Sequence, residues 1–412
     1  ATSGTGPSMA PHGVLMDYLV LALNTICGRW VKAGERMPNR GVFFRQFSGV
    51  ARAEKPRSAA GFGEALRVRG LTDTAAGLPT AALADEILTP GEGQVRALFV
   101  IGGNPLLSWP NQEKTRRALE SLELLVVIDP MLSATARHAH YVIGPRLGFE
   151  SPAITFGNEG ITVYGLSLGY PEPYAQYQPA LIEPPAGSDV LEDWRIFFEL
   201  GRHMGLPLAF RGQPFDMASP PTTDQLLEAF VAKSRVPLEE IKRHPHGAIF
   251  PDPKPLADPK PPDWPHRLQL AATSMMRELT AVAAALPIAA EQIDRDYPWL
   301  LVTRREHAVY NSVGQRLPAL RKRLSHNPAY VHPEDADALG LLDDMPIEIE
   351  SRHGRTRARV RLADDIRRGV ISLAHGFEDA NPAALIDDAS SFDALSGLPR
   401  MSAIPVRILR AG

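Results

Sequence analysis

Three short segments hold the side chains best suited to chemistry. Gly102-Gly103-Asn104-Pro105 follows the apolar run Val95 to Ile101. Open α/β sheets bind ligands at that end of a strand. The glycines let backbone approach a phosphate or a base, and the Asn104 amide both donates and accepts. Asp129 ends the next apolar run, 27 residues after Gly102. An acid there in a nucleotide-binding fold accepts hydrogen bonds from a ribose. The spacing is not G-x-G-x-x-G, and a tight turn with a helix-start acid uses the same residues. The second segment runs from Thr303 through Arg304, Arg305 and Asn311 to Ser312. Two guanidiniums among small polar side chains suit an anionic, heteroatom-rich ligand, and they also suit a solvated loop with local caps. The third is Gly4-Thr5-Gly6-Pro7-Ser8-Met9, a glycine-bearing loop ahead of a helix. It presents amides to a phosphate or is an ordinary N-terminal loop.

Other polar residues read as structural. His138-Ala139-His140 and His244-Pro245-His246 lack the cysteine or carboxylate neighbours of a metal site. Cys27 sits in an apolar stretch and is expected to be a buried, inert thiol. As the chain's one cysteine, it excludes an internal disulfide and any cysteine-built zinc or iron–sulfur site from this chain alone. Asp343-Asp344, Asp364-Asp365 and Asp387-Asp388 read as turn residues, and there is no Walker loop or arguable Ser/His/Asp set. The formal charge of −3 gives no basic field for nucleic acid. No apolar run reaches the ~20 residues of a membrane span. At 412 residues, with 44% hydrophobic and 22% charged, the chain is expected to form two to three packed domains. Its 38 prolines are about twice the usual share. The opening Ala1 without an initiator Met reads as a chain entered in its middle.

These segments need elements to hold them. Val14 to Ile26 reads as a buried helix ending at Gly28. Residues 34–93 read as long loops with short helices. Strands at 95–101 and 122–128 around a helix at 111–121, with a third short strand at 141–143, predict a parallel sheet covered on both faces. Ser133 caps a short helix through Arg137. A helix starts at Ser188-Asp189 and ends before Gly205, and another spans 224–233. Eight prolines within 244–266 mark a linker. Beyond it the spacing predicts a compact β-barrel with a helix at 333–339. Its strand 355–362 carries Arg355, Arg357, Arg359 and Arg361 on a solvated face.

Taken in order, the segments resemble the C-terminal half of the molybdopterin oxidoreductase (DMSO reductase) family over nearly the whole chain. The opening loop and the helix to Cys27-Gly28 are similar to the family's G-x-x-x-x loop and LxxLTG-type helix. Val100-Ile101-Gly102-Gly103-Asn104-Pro105 is similar to its G-x-N-P turn, and Val126 through Asp129, Thr135 and Ala139 to its V-x-D-x(5)-T-x(2)-A-D-x-V-L-P stretch. Phe149-Glu150 and Gly157-Asn158-Glu159-Gly160 resemble its E…N-x-E-G-R segment, and Asp193-Trp194 its D-W pair. Thr303, Arg305, Asn311 and Ser312 resemble its T-x-R-x(5)-[HS]-T loop. Asn327, Val331 through Ala336, Asn381 and Asp393 through Gly397 complete the likeness. His140, Ile143-Gly144-Pro145, Arg304, Ile161 and the uncharged Ser402 depart from the pattern.

The resemblance implies an α/β fold: a parallel-sheet Rossmann-like domain over 1–243, a Pro-rich linker and helix over 244–297, and a C-terminal double-psi β-barrel over 298–412. It implies bis(molybdopterin guanine dinucleotide) with Mo or W as cofactor, with an iron–sulfur cluster and the metal ligand on a missing N-terminal part. Carried over by position, Gly102, Asn104 and Asp129 hold a guanosine, and Asp193 reads a guanine edge. Thr303, Arg305, Asn311 and Ser312 bind pterin and phosphate, Thr5 and Met9 lie near the pterin, and Asn381 touches the other pterin. The implied partners are the N-terminal half or a partner subunit, a small-molecule substrate and a redox protein. The implied function is two-electron redox of that substrate. The other reading is a structural relative that keeps the fold without metal. The chain alone is expected to bind no molybdenum and to associate.

Overall fold

The computed structural model describes residues 1–410 except 38, 45–47, 56–63, 74–76, 158, 160–171, 290–293, 391 and 394; of 286–289 it describes the backbone alone. The chain divides into two compact units. The first comprises 1–2, 21–56 and 143–270; the second comprises 3–20, 57–142 and 271–412.

Helix α1 spans Gly13–Ile26, close to the expected range, but only Gly13 and Leu15 are buried in it. Leu19, Leu23 and Ile26, spaced i, i+4 and i+7 on one stripe, are 39%, 52% and 73% exposed. The expected buried helix is thus corrected: its apolar face is bare. Cys27 just beyond it is exposed, not buried.

In the second unit, β1 (Ala97–Ile101) pairs in parallel with β2 (Leu124–Ile128), joined through α2 (Gln112–Ser121). β3 (Tyr141–Ile143) completes a three-stranded sheet in the order β1-β2-β3. Continuous apolar sequence is what such a sheet needs, because α2 and neighbouring segments cover it. Leu119, Leu125 and Val127 are fully buried against Ile87 and Trp109, each contributing ~1.5–3 kcal/mol of transfer free energy. Asn111 caps α2 from a left-handed conformation (φ 52°), its side chain accepting from the Lys114 amide.

The first unit packs α3 (Asp193–His203) and α4 (Thr223–Phe230) among short hairpins. α3 starts later than Ser188-Asp189; the preceding stretch instead stays extended, with Leu191 bridging Pro145. α4 opens with a full capping box from Thr222 and Gln225. Phe44, Phe156 and Phe230 meet edge to face at 5.0–5.3 Å.

The second unit also holds α5 (Thr273–Ala289) and a closed six-stranded barrel. Its strands are β4 (Trp299–Arg304), β5 (Pro328–Val331), β6 (Pro346–Glu350), β7 (Arg355–Leu362), β8 (Val370–Ala374) and β9 (Ser402–Arg410), in the order β4-β8-β5-β7-β6-β9. β4/β8 and β5/β7 pair in parallel; β6/β7 and β4/β9 are antiparallel. Leu301, Val331, Ile347, Ile349, Ile371, Leu373 and Val406 fill the interior. Between β5 and β6, α6 (Pro333–Leu339) ends on Gly340 in the left-handed region. The four arginines of β7 are all exposed as expected, and Arg355 and Arg359 pair with Glu348 and Asp344.

Candidate functional site

The parallel register sets the first half of the site. Ile101 lies opposite Ile128, so Gly102 and Asp129 leave adjacent strand ends, and the Gly102 amide donates to Ile128 O at 2.9 Å. Gly102 takes φ +57°, with nothing within 4 Å of a would-be Cβ. Asn104 is held by Thr135: its Oδ1 accepts from Thr135 Oγ1 at 2.8 Å and Thr135 N at 3.2 Å. Thr135 is fully buried and in turn accepts from Leu106 N at 3.0 Å. Asn104 Nδ2 has no hydrogen-bond partner among the described residues. Asp129 commits Oδ1 to Met131 N at 2.8 Å, and its other oxygen has no partner among the described residues.

The second half lies at one end of the barrel. Arg304 lies opposite Ala374 in the β4/β8 register, so Arg305 and His375 emerge together. Arg305 Nη1 donates to Asn311 Oδ1 and lies 3.0 Å from His375 Nε2; His375 Nε2 is also 3.0 Å from Asn311 Oδ1. Burial first, then the Arg305 charge, pushes the His375 imidazole below its ordinary pKa. Gly376 takes φ +83°, and a Cβ there would sit 2.4 Å from Asn311 O and 3.0 Å from Ser312 N. Gln315 Nε2 donates to Gly376 O at 2.5 Å. The buried Asn327 amide closes the 374–380 loop at both ends, donating to Ala374 O at 2.7 Å and Ala380 O at 3.0 Å.

Ten of the eleven candidate residues fall in the second unit; Asp193 falls in the first. Thr303 is the penultimate residue of β4 and, like Ser312, is half-buried. Thr5 is exposed on a one-turn helix, and Met9 O accepts from Met401 N at 2.9 Å. Asn381 is 2% exposed, and both ends of its amide are engaged within the chain. Nδ2 donates to Leu107 O and Oδ1 accepts from Ala383 N. Asp193 opens α3 exposed, with burial raising its carboxyl pKa. His375 and Glu378 escaped the sequence reading because parallel pairing of strands about 70 residues apart places them, and Gln315 and Arg316 because they reach that loop only through contacts with Gly376 and Glu378.

Several motif residues serve the fold. Glu159 is buried and accepts from Val42, Phe43 and Phe44 amides at 2.5, 2.9 and 3.0 Å; Asn158, Gly160 and Ile161 lie outside the described residues. His140 Nδ1 accepts from Leu125 N at 2.9 Å, and His138 lies 3.3 Å from Glu120. Arg304 stacks on Tyr330 at 3.7 Å and pairs with Glu306 at 3.2 Å. Asp387 caps its own turn, but Asp388 does more than a turn residue. It is 5% exposed and takes Arg69, Lys114 and Asn111.

The barrel has a match among known protein domains. Residues 299–405, the barrel from the start of β4 well into β9, match the molydopterin dinucleotide binding domain. The barrel carries that domain, and the relatives matched by the longer chain are molybdopterin-dependent oxidoreductases. It is 24% identical to an F420-dependent formate dehydrogenase subunit alpha of Methanocaldococcus jannaschii, across 79% of this chain and 45% of that one. It is 23% identical to the assimilatory nitrate reductase catalytic subunit of Bacillus subtilis, across 77% and 42%. Acetylene hydratase from Pelobacter acetylenicus shares the fold, with TM-score 0.55 and 19% identity over 81% of this chain and 47% of that one. The chain thus spans about half the length of the relatives it matches.

Proposed function

We propose that this chain is the C-terminal part of a molybdenum or tungsten oxidoreductase carrying bis(molybdopterin guanine dinucleotide). The metal ligand and an iron–sulfur cluster would lie on an N-terminal part of the same enzyme or on a partner subunit. The β1-β2-β3 layer is then a Rossmann-like sheet, and the barrel a double-psi barrel. One observation carries the reading: the donor set of the two half-sites suits a guanine dinucleotide. At the strand ends, the free Asn104 amide hydrogens suit a base and the open Asp129 oxygen a ribose hydroxyl. Gly102 leaves the room that a close-lying ligand needs. At the barrel end, Arg305, already aligned by Asn311 and His375, suits a phosphate.

The bound group would supply two-electron redox chemistry at its metal. This chain's residues bind and orient it. Thr135 fixes Asn104, and the neutral His375 steadies Arg305 without adding charge. Thr303, near the end of β4, and Ser312, on the loop of Arg305, flank it, and Thr5, Met9 and Asn381 complete the proposed ligand set of the second unit; Asp193, in the first unit, keeps the guanine-reading role that the resemblance implies. Substrate, redox partner and reaction direction belong to the whole enzyme.

The test is the guanosine monophosphate released by mild acid from the complete protein. Wild type is expected to release it, and N104A or R305A to release markedly less while remaining folded. Unchanged release from both variants would overturn the assignment.

A further inference from the structure

The loops carrying the two half-sites meet at one carboxylate. Glu378 accepts from Arg137 Nη2 at 2.6 Å and from Arg316 Nη2 at 2.8 Å. Both guanidiniums also donate to Leu132 O, Arg316 at 2.6 Å and Arg137 at 3.4 Å. Arg137 is two residues past Thr135, the residue that fixes Asn104. Arg316 ends the loop of Arg305, Asn311 and Ser312, and Glu378 is three residues past His375. Although partial burial acts to raise it, the two arginines hold the Glu378 carboxyl below its usual range, so it stays charged at neutral pH.

We propose that Glu378 is a positioning residue: through Arg137 and Arg316 it sets the Asn104/Asp129 strand ends in register with the Arg305/Asn311/His375 loop, so that one dinucleotide engages both. The proposal rests on the functional reading above. A single exposed ion pair has little effect on stability. Here one carboxylate unites three loops, two of them bearing ligand residues and the third His375. Its effect should therefore appear in ligand retention more than in folding. A dinucleotide spans both halves, so misregister loses one set of contacts.

The test uses the complete, loaded protein and follows the rate at which guanine dinucleotide is lost on gel filtration, alongside the melting temperature. E378Q and R316Q are each expected to speed loss about tenfold, with E378D between them and wild type. Melting should move by no more than a few degrees. Because Glu378 acts through the Asn104 loop, E378Q in an N104A background should add little. Wild-type retention in both E378Q and R316Q, with loss in N104A and R305A, would overturn this proposal alone. Tighter retention in E378Q would also overturn it, making the carboxylate a competitor for the arginines. Unchanged retention in N104A and R305A as well would overturn the functional reading, and the proposal with it.

Discussion

Gly376 offers the sharpest test of the barrel-end geometry. Alanine there meets two penalties. Its φ of +83° lies where L-residues are disfavoured, at a cost of roughly 1–2 kcal/mol. Its Cβ would also sit 2.4 Å from Asn311 O, 2.6 Å from Asn311 C and 3.0 Å from Ser312 N. Those are backbone atoms that cannot swing aside, so relieving the overlap should cost a further ~1–3 kcal/mol. Gly369, before β8, supplies the control. It has φ +74° with nothing within 4 Å of its would-be Cβ, so G369A carries the first penalty alone. Urea denaturation of both variants should show G376A less stable than G369A by about 1–3 kcal/mol. G376A should also shift Asn311 and loosen its contact with Arg305. Equal stability of the two variants would refute the close approach of the two loops.

Other expectations follow from individual contacts. D388A leaves Arg69 and Lys114 with Asp85 as their remaining carboxylate, and should lower stability by about 1–3 kcal/mol in denaturant titration. R357A, at an 84% exposed side chain, should change it by less than about 0.5 kcal/mol. His375 has a folded pKa below its ordinary 6.5, so folding excludes a proton that the unfolded chain binds. Its unfavourable contribution should be absent above pH 6.5 and grow as pH falls toward the folded value. H375Q should flatten that part of the stability profile. In the 412-residue chain alone, L23E/I26E on the bare stripe of α1 should raise the monomer fraction in sedimentation and leave the melting temperature unchanged.

Local pattern made much of this fold legible. The strands around residues 97–101 and 124–128, the helix Pro333–Leu339 with its Gly340 stop, and the alternation of Arg355–Leu362 each follow from side chains within a few residues. The placement of Asn104 and Asp129 just past strand ends was legible because a strand's C-terminal end is a position that sequence can mark. What covers an element is a different matter. Leu19, Leu23 and Ile26 read as core because they are apolar, yet burial depends on which chain packs there. Cys27 shares that error. The start of α3 was misplaced because Ser188 and Asp189 are good caps whose stretch is held extended instead. His375 and Glu378 depend on β4 pairing in parallel with β8, and Arg316 joins them only through Glu378; no window of sequence contains that register.

The proposed function rests on a guanine dinucleotide bound to a redox metal in the complete protein. It is tested most directly by measuring molybdenum and tungsten by mass spectrometry together with guanosine monophosphate released by mild acid. One of the two metals is expected, with about two guanosine monophosphates per metal, as a bis-dinucleotide site requires. A folded protein holding neither metal nor nucleotide would contradict it and favour a structural relative that keeps the fold alone.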